Sequence, residues 1–158
     1  MATPPRELYD SDFYAWTRQQ ARELRRLKPL RLNGDLDVDR LALEIRDLGS
    51  EQLFAVQSQT VRLIEHLLKL AYSTLEQPRR RWMISVNDAR AEIENRLTPT
   101  LRRRLLASLD RQYERARRNA ALALEDQDEA AAAGALPSTC PYGFDQLLDP
   151  DWLPARRG

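Results

Sequence analysis

Between Leu53 and Leu75 the chain places Leu53, Val56, Thr60, Leu63, Ile64, Leu67, Ala71 and Leu75 three or four positions apart. Only an α-helix gathers residues at that period into one continuous face. Such a face cannot stay in water, so it needs other apolar faces to pack against. The same period supplies them. Phe13, Trp16, Gln20, Leu24 and Leu27 predict a first helix. It starts at Ser11 or Asp12, whose side chains can accept from the unpaired amides of a first turn. It ends before Pro29, because a residue preceding proline is pushed away from helical angles.

Asn33-Gly34-Asp35 reads as a turn. Asp37 is placed to cap a second helix carrying Val38, Leu41, Ala42, Ile45 and Leu48, with Gly49-Ser50 as its end or a kink. The third helix then runs to about Glu76, bounded by Pro78. Trp82, Val86, Ala89, Ile93 and Leu97 mark a fourth. Thr98-Pro99 restarts the chain, a capping threonine followed by a proline where no amide is needed. A long fifth helix follows through Leu101, Leu105, Leu109, Tyr113, Ala116, Ala120 and Leu124. After Gly134 the prolines at 137, 141, 150 and 154, interleaved with Tyr142, Phe144 and Trp152, exclude a long helix and predict a strap.

The expectation is an all-α fold: a five-helix bundle with long third and fifth helices and a C-terminal Pro/aromatic strap. One domain covers 1–158, its core spans about 9–154, and 126–137 is a flexible helix end or loop. Composition agrees, since Leu, Ala, Arg, Glu and Gln outnumber the β-branched residues.

Charge narrows the functional classes. Twenty-five basic residues oppose 24 acidic ones, a formal net charge of +1, so no global field draws the chain to nucleic acid or an anionic membrane. Cys140 is the sole cysteine, which excludes an internal disulfide. The N-terminal residues lack a signal-peptide core and no stretch has the length of a membrane span. A cytoplasmic protein with no cofactor and no membrane partner is expected.

Three stretches together resemble a known family. Tyr9-Asp10-Ser11-Asp12-Phe13-Tyr14-Ala15-Trp16 with Gln20-Ala21 opens the chain. Leu41-Ala42-Leu43-Glu44-Ile45, Leu48-Gly49 and His66-Leu67-Leu68-Lys69 form the middle. Cys140-Pro141-Tyr142, Gln146-Leu147-Leu148-Asp149 and Trp152-Leu153-Pro154 close it. From Tyr9 to Pro154 this order resembles the bacterial domain of unknown function family number twenty-nine. The resemblance implies an all-helical fold and carries no activity with it.

The chemistry-bearing residues are few. His66 is the only histidine, and a zinc or iron centre needs several His or Cys ligands, so a hydrogen bond to a neighbouring helix is the expected role. Glu44, Asp47 and Glu51 are weak magnesium candidates, since a hard cation needs several oxygens. They would make a magnesium-dependent nucleotide hydrolase, with Glu92 and Glu94 as the acidic partners on the fourth helix; surface Glu–Arg pairing is the plainer reading. No Gly-x-Ser-x-Gly elbow or Gly-rich phosphate loop is present. Cys140 reads as a small buried apolar residue, and Phe13, Trp16, Trp82, Pro141 and Trp152 as structural packing.

The sharpest surface feature is an Arg row on the fifth helix. Arg104, Arg111, Arg115 and Arg118 follow at steps of seven, four and three, stacking along one edge. Such a row grips phosphates or an acidic partner, or is paired within the fold. Arg79-Arg80-Arg81 forms a second basic cluster. These features predict a non-catalytic interaction or accessory protein binding a macromolecule through a helix face, with a protein partner or homodimer ahead of nucleic acid.

Overall fold

A computed structural model describes residues 4–30 and 35–157. Among these the chain is helical with no strand, in eight α-helices and one 3-10 turn. They are α1 (Pro5–Ser11), α2 (Phe13–Leu27), α3 (Val38–Tyr72), α4 (Arg79–Arg96), α5 (Pro99–Ala107), α6 (Leu109–Glu125), α7 (Ala130–Gly134) and α8 (Phe144–Leu148). The 3-10 turn, Lys28–Leu30, follows α2 across Pro29. The expected turn at Asn33-Gly34-Asp35 lies in part outside the described residues.

The helices form two compact units: residues 1–55 with 97–104, and residues 56–96 with 105–158. In the first unit, Asp12 is buried and caps α2, accepting from the Ala15 amide at 3.0 Å. The same carboxylate accepts from the Thr98 hydroxyl at 3.0 Å and the Thr100 amide at 2.9 Å, so one side chain holds the starts of both α2 and α5. Burial works against its ionisation, but these donors outweigh burial and leave the Asp12 carboxyl below its ordinary value. Tyr9 meets Phe13 and Trp16 edge-on, at centroid distances of 5.5 and 4.9 Å, while Phe13 and Trp16 stack. That cluster explains α1, which sequence periodicity alone does not announce.

The expected helix end at Gly49 is not there. The second and third helices are one 35-residue helix, α3, with Asp37 accepting from the Arg40 amide at its start. Gly49 is buried within it because a Cβ there would overlap the Thr17 hydroxyl oxygen of α2. Its lack of a side chain serves helix packing. Arg18 reinforces the crossing by donating to Ser50 Oγ at 3.0 Å and to the Arg46 carbonyl at 3.3 Å. In this first half of α3 only Ala42 of the expected apolar face is buried; Leu41 and Leu48 remain exposed.

In the second unit the helical period reads out as expected. Val56, Leu63, Ile64, Leu67 and Ala71 of α3, Trp82, Val86, Ala89 and Ile93 of α4, and Leu105, Tyr113, Ala116, Ala120 and Leu124 further on are buried. Two boundaries differ. α3 stops at Tyr72 instead of about Glu76, because Glu129 accepts from the Thr74 amide at 2.6 Å and from the Ser73 and Thr74 hydroxyls.

The expected fifth helix is two helices, broken at Ser108 (φ −113°, ψ 10°). The Ser108 hydroxyl accepts from the Gln112 and Gln57 amides at 2.9 and 3.3 Å, so its side chain serves those partners while the backbone leaves the helix. Residues 126–137, expected as a flexible helix end or loop, hold α7 and bury Ala133 and Leu136.

Candidate functional site

The break at Ser108 divides the Arg row. Arg104 lies on α5, where its guanidinium sits 5.9 Å from the Tyr14 ring centroid. Arg111, Arg115 and Arg118 lie on α6, and all are exposed. The row is also not free of acidic residues, since Glu114 accepts from Arg118 at 3.1 Å. Arg111 and Arg115 make no ion pair among the described residues. The opposite face of α6 is sealed by Gln112, Tyr113, Ala116, Ala120 and Leu124.

One step further along the stripe, at the i+4 position from Arg118, stands Leu122, 63% exposed. From Arg111 to Leu122 the stripe is about 16 Å long at the rise of an α-helix. Leu122 was missing from the sequence reading because an apolar residue is ordinarily counted toward the core. Its spacing of seven from Arg115 and eleven from Arg111 was the available signal.

The acidic candidates behave differently. Glu44, Asp47 and Glu51 are exposed on α3, and Asp47 lies 3.7 Å from Arg46. No three His, Cys, Asp or Glu side chains among the described residues are grouped to hold a metal ion. Glu92 of the expected partner set pairs with Arg96 at 3.4 Å.

Among the described residues His66 bonds within its own helix and not to a neighbouring one. Its Nδ1 lies 2.9 Å from the Arg62 carbonyl, which can only accept, so that nitrogen carries the proton. Burial holds its pKa below the ordinary 6.5, against the opposing pull of that hydrogen bond. Beside it, the buried Lys69 ammonium lies 2.9 Å from Glu65 and 5.4 Å from the Trp82 ring centroid. Arg79 of the basic cluster donates to the Leu70 carbonyl at 3.0 Å, while Arg80 and Arg81 are exposed. The half-buried Cys140 approaches the Tyr142 carbonyl at 3.5 Å, and burial raises its pKa away from thiolate chemistry.

A second assembly was not anticipated. Arg90 is 4% exposed in the middle of the α4 apolar stripe. Its Nε donates to the Leu147 carbonyl at 2.8 Å, and its Nη2 to the Trp152 and Gln146 carbonyls at 2.9 and 3.3 Å. Gln146 and Leu147 lie in the last turn of α8. The Asp149 amide already donates to the Gln146 carbonyl at 3.3 Å, and Arg90 adds a second donor there and supplies the Leu147 carbonyl, with a charge suited to a helix C-terminus. Burial lowers its pKa and Asp149 opposes the shift. The signal was legible: an arginine between Val86 and Ile93 at core spacing needs buried acceptors.

Residues 8–153 match the domain of unknown function DUF29. The chain belongs to that family. Its fold is similar to that of an alpha-helical protein of unknown function from Rhodospirillum rubrum, with 27% identity, 90% of each chain covered and a TM-score of 0.78. No curated protein matches it. In this DUF29 chain the motifs carrying the family likeness fall on tertiary links. The opening motif contains Asp12 and the aromatic cluster of Tyr9, Phe13 and Trp16. The middle one contains Gly49 and Lys69, and the closing one supplies the carbonyls that Arg90 holds. No helix among the described residues of the DUF29 chain is long and apolar enough to cross a membrane.

Proposed function

We propose that the protein is a non-catalytic, cytoplasmic binding protein whose outer face of α6 docks an acidic, partly apolar segment of another protein. The observation that carries this reading is the stripe of Arg111, Arg115, Arg118 and Leu122. Two of its guanidiniums have no carboxylate partner among the described residues, and an exposed leucine completes it. Guanidiniums recognise carboxylates through paired planar hydrogen bonds, and a leucine beside them gives an apolar anchor. A phosphate backbone is the second reading, supported by Arg111 and Arg115, which have no ion pair among the described residues; Glu114 within the row and the net charge of +1 weigh against it. Both units act as one domain in this reading, with residues 135–157 as a strap.

Charge reversal tests it. Immobilised wild-type protein, an Arg111→Glu/Arg115→Glu variant and an Arg80→Glu/Arg81→Glu control are compared for retained proteins, with nuclease-treated and untreated extracts. The expected result is a nuclease-resistant set kept by wild type and control and lost by the α6 variant. Equal retention by all three contradicts the assignment, and retention abolished by nuclease transfers it to nucleic acid. Sedimentation of the wild type shows whether a second copy is that partner.

A further inference from the structure

Where the end of α3 meets the C-terminal segment, the second unit contains a cavity of about 170 Å³. Tyr72, Tyr142, Trp152 and Pro154 supply ring-bearing walls, and Gln146 and Arg157 the polar part of the lining. No acidic side chain among the described residues lines it.

Tertiary bonds hold these walls in place. Arg90 grips the backbone of Gln146 and Trp152 from inside. The Arg157 amide donates to the Ala71 carbonyl at 2.7 Å, tying the outgoing chain to the last turn of α3. Gln146 Oε1 accepts from the Gly143 amide at 3.0 Å, so its side chain is held at the start of α8. Tyr142 and Trp152 meet edge-to-face with centroids 5.4 Å apart. A cavity fixed in this way loses little freedom when it takes a ligand.

Size and chemistry select the occupant. A dry apolar cavity of about 150 Å³ holds a benzene molecule, so 170 Å³ admits one six-membered ring with a short substituent. Aromatic walls favour a flat ring packed on a face or an edge. Among the described residues the charged lining residue is Arg157, whose guanidinium makes no ion pair there and lies near enough to Tyr142 to oppose the rise in its pKa. A planar guanidinium matches a carboxylate oxygen for oxygen, and the absence of an acidic wall disfavours an amine.

We propose that this cavity binds a small aromatic carboxylate, its ring against the wall formed by Tyr72, Tyr142 and Trp152 and its carboxylate on Arg157. The site is separate from the α6 stripe and stands without it.

The test is a titration of the full chain with phenylacetate, following the Trp152 indole N–H resonance, assigned through Trp152→Phe. A saturable shift is expected with a dissociation constant of about 0.1–1 mM, in line with the efficiency of ligands this small. Phenylacetamide, the same shape without charge, binds at least tenfold more weakly. Arg157→Ala weakens phenylacetate about tenfold and Arg157→Lys less, with the amide spectrum otherwise unchanged because the structural bond of Arg157 comes from its backbone. Absence of saturation, equal binding of the amide, or full affinity in Arg157→Ala would each overturn the proposal. A peptide ending in phenylalanine that binds more tightly than phenylacetate would overturn the small-molecule assignment and make the cavity a receptor for a chain end.

Discussion

The hydroxyl of Tyr113 donates to the Pro137 carbonyl at 2.6 Å, while that of Tyr142 is sealed from water with no protein partner among the described residues. Burial pushes Tyr113 up to about 12 and raises Tyr142 as well, so neither ionises near neutral pH. Their hydroxyls should respond in opposite ways to removal. Tyr113→Phe removes the donor to the half-buried Pro137 carbonyl and should cost about 1 kcal/mol in chemical denaturation. Tyr142→Phe removes a buried hydroxyl that lacks a protein acceptor and should be neutral or stabilising by up to about 1 kcal/mol. Equal losses would show that the Tyr142 hydroxyl is satisfied.

At Asp12, Asp12→Ala strips acceptors from two helix starts at once and should cost about 2–4 kcal/mol, beyond one ordinary cap. Asp12→Asn should recover less than half, because its amino group must face a backbone donor.

At the level of helices, Gly49 decides whether α2 and the first half of α3 can cross closely. Gly49→Ala gains helix propensity of about 1 kcal/mol but forces a methyl against the buried, hydrogen-bonded Thr17 side chain. A net loss of about 1–2 kcal/mol is expected, with Thr17→Ala in the same chain recovering most of it. Without that recovery, the close approach is not what fixes glycine there.

The helix faces were legible wherever a long apolar period met a proline. Pro29, Pro78 and Pro99 mark boundaries, and Leu63 and Leu105 are fully buried as their spacing requires. Glycine and serine misled for a physical reason, because both act here through distant partners. Gly49 reads locally as a breaker but answers to Thr17, 32 positions earlier. Ser108 reads locally as helix but answers to Gln57 across a separate helix. The Glu129 bonds that stop α3 likewise come from more than 50 residues away. Among the site candidates, the individual α6 arginines and the spacing that sets Leu122 beside them were legible; the division of the row was not, since it follows from the bonds of Ser108 to Gln57 and Gln112.

For the molecule as a whole, acid should act in two stages. His66 is held below 6.5, chiefly by burial, so the unfolded chain takes the proton first and stability begins to fall as pH drops below that value. His66→Gln should flatten stability between about pH 7.5 and 5.5. Asp12 and Glu129 are held below their ordinary values of 3.8 and 4.5, because their hydrogen-bond donors outweigh burial. Their stabilisation is full above those values and is lost as pH falls through the lower folded ones, giving a steeper second decline. A urea midpoint that is flat from pH 7.5 to 3 would contradict both assignments.

The functional account requires that the α6 stripe be spare to the fold. Equilibrium urea denaturation of Arg111→Glu/Arg115→Glu against wild type measures this directly. The account predicts agreement within about 0.5 kcal/mol, as for surface changes away from structural contacts. A loss of more than about 2 kcal/mol would show that these arginines hold the protein together instead of facing a partner.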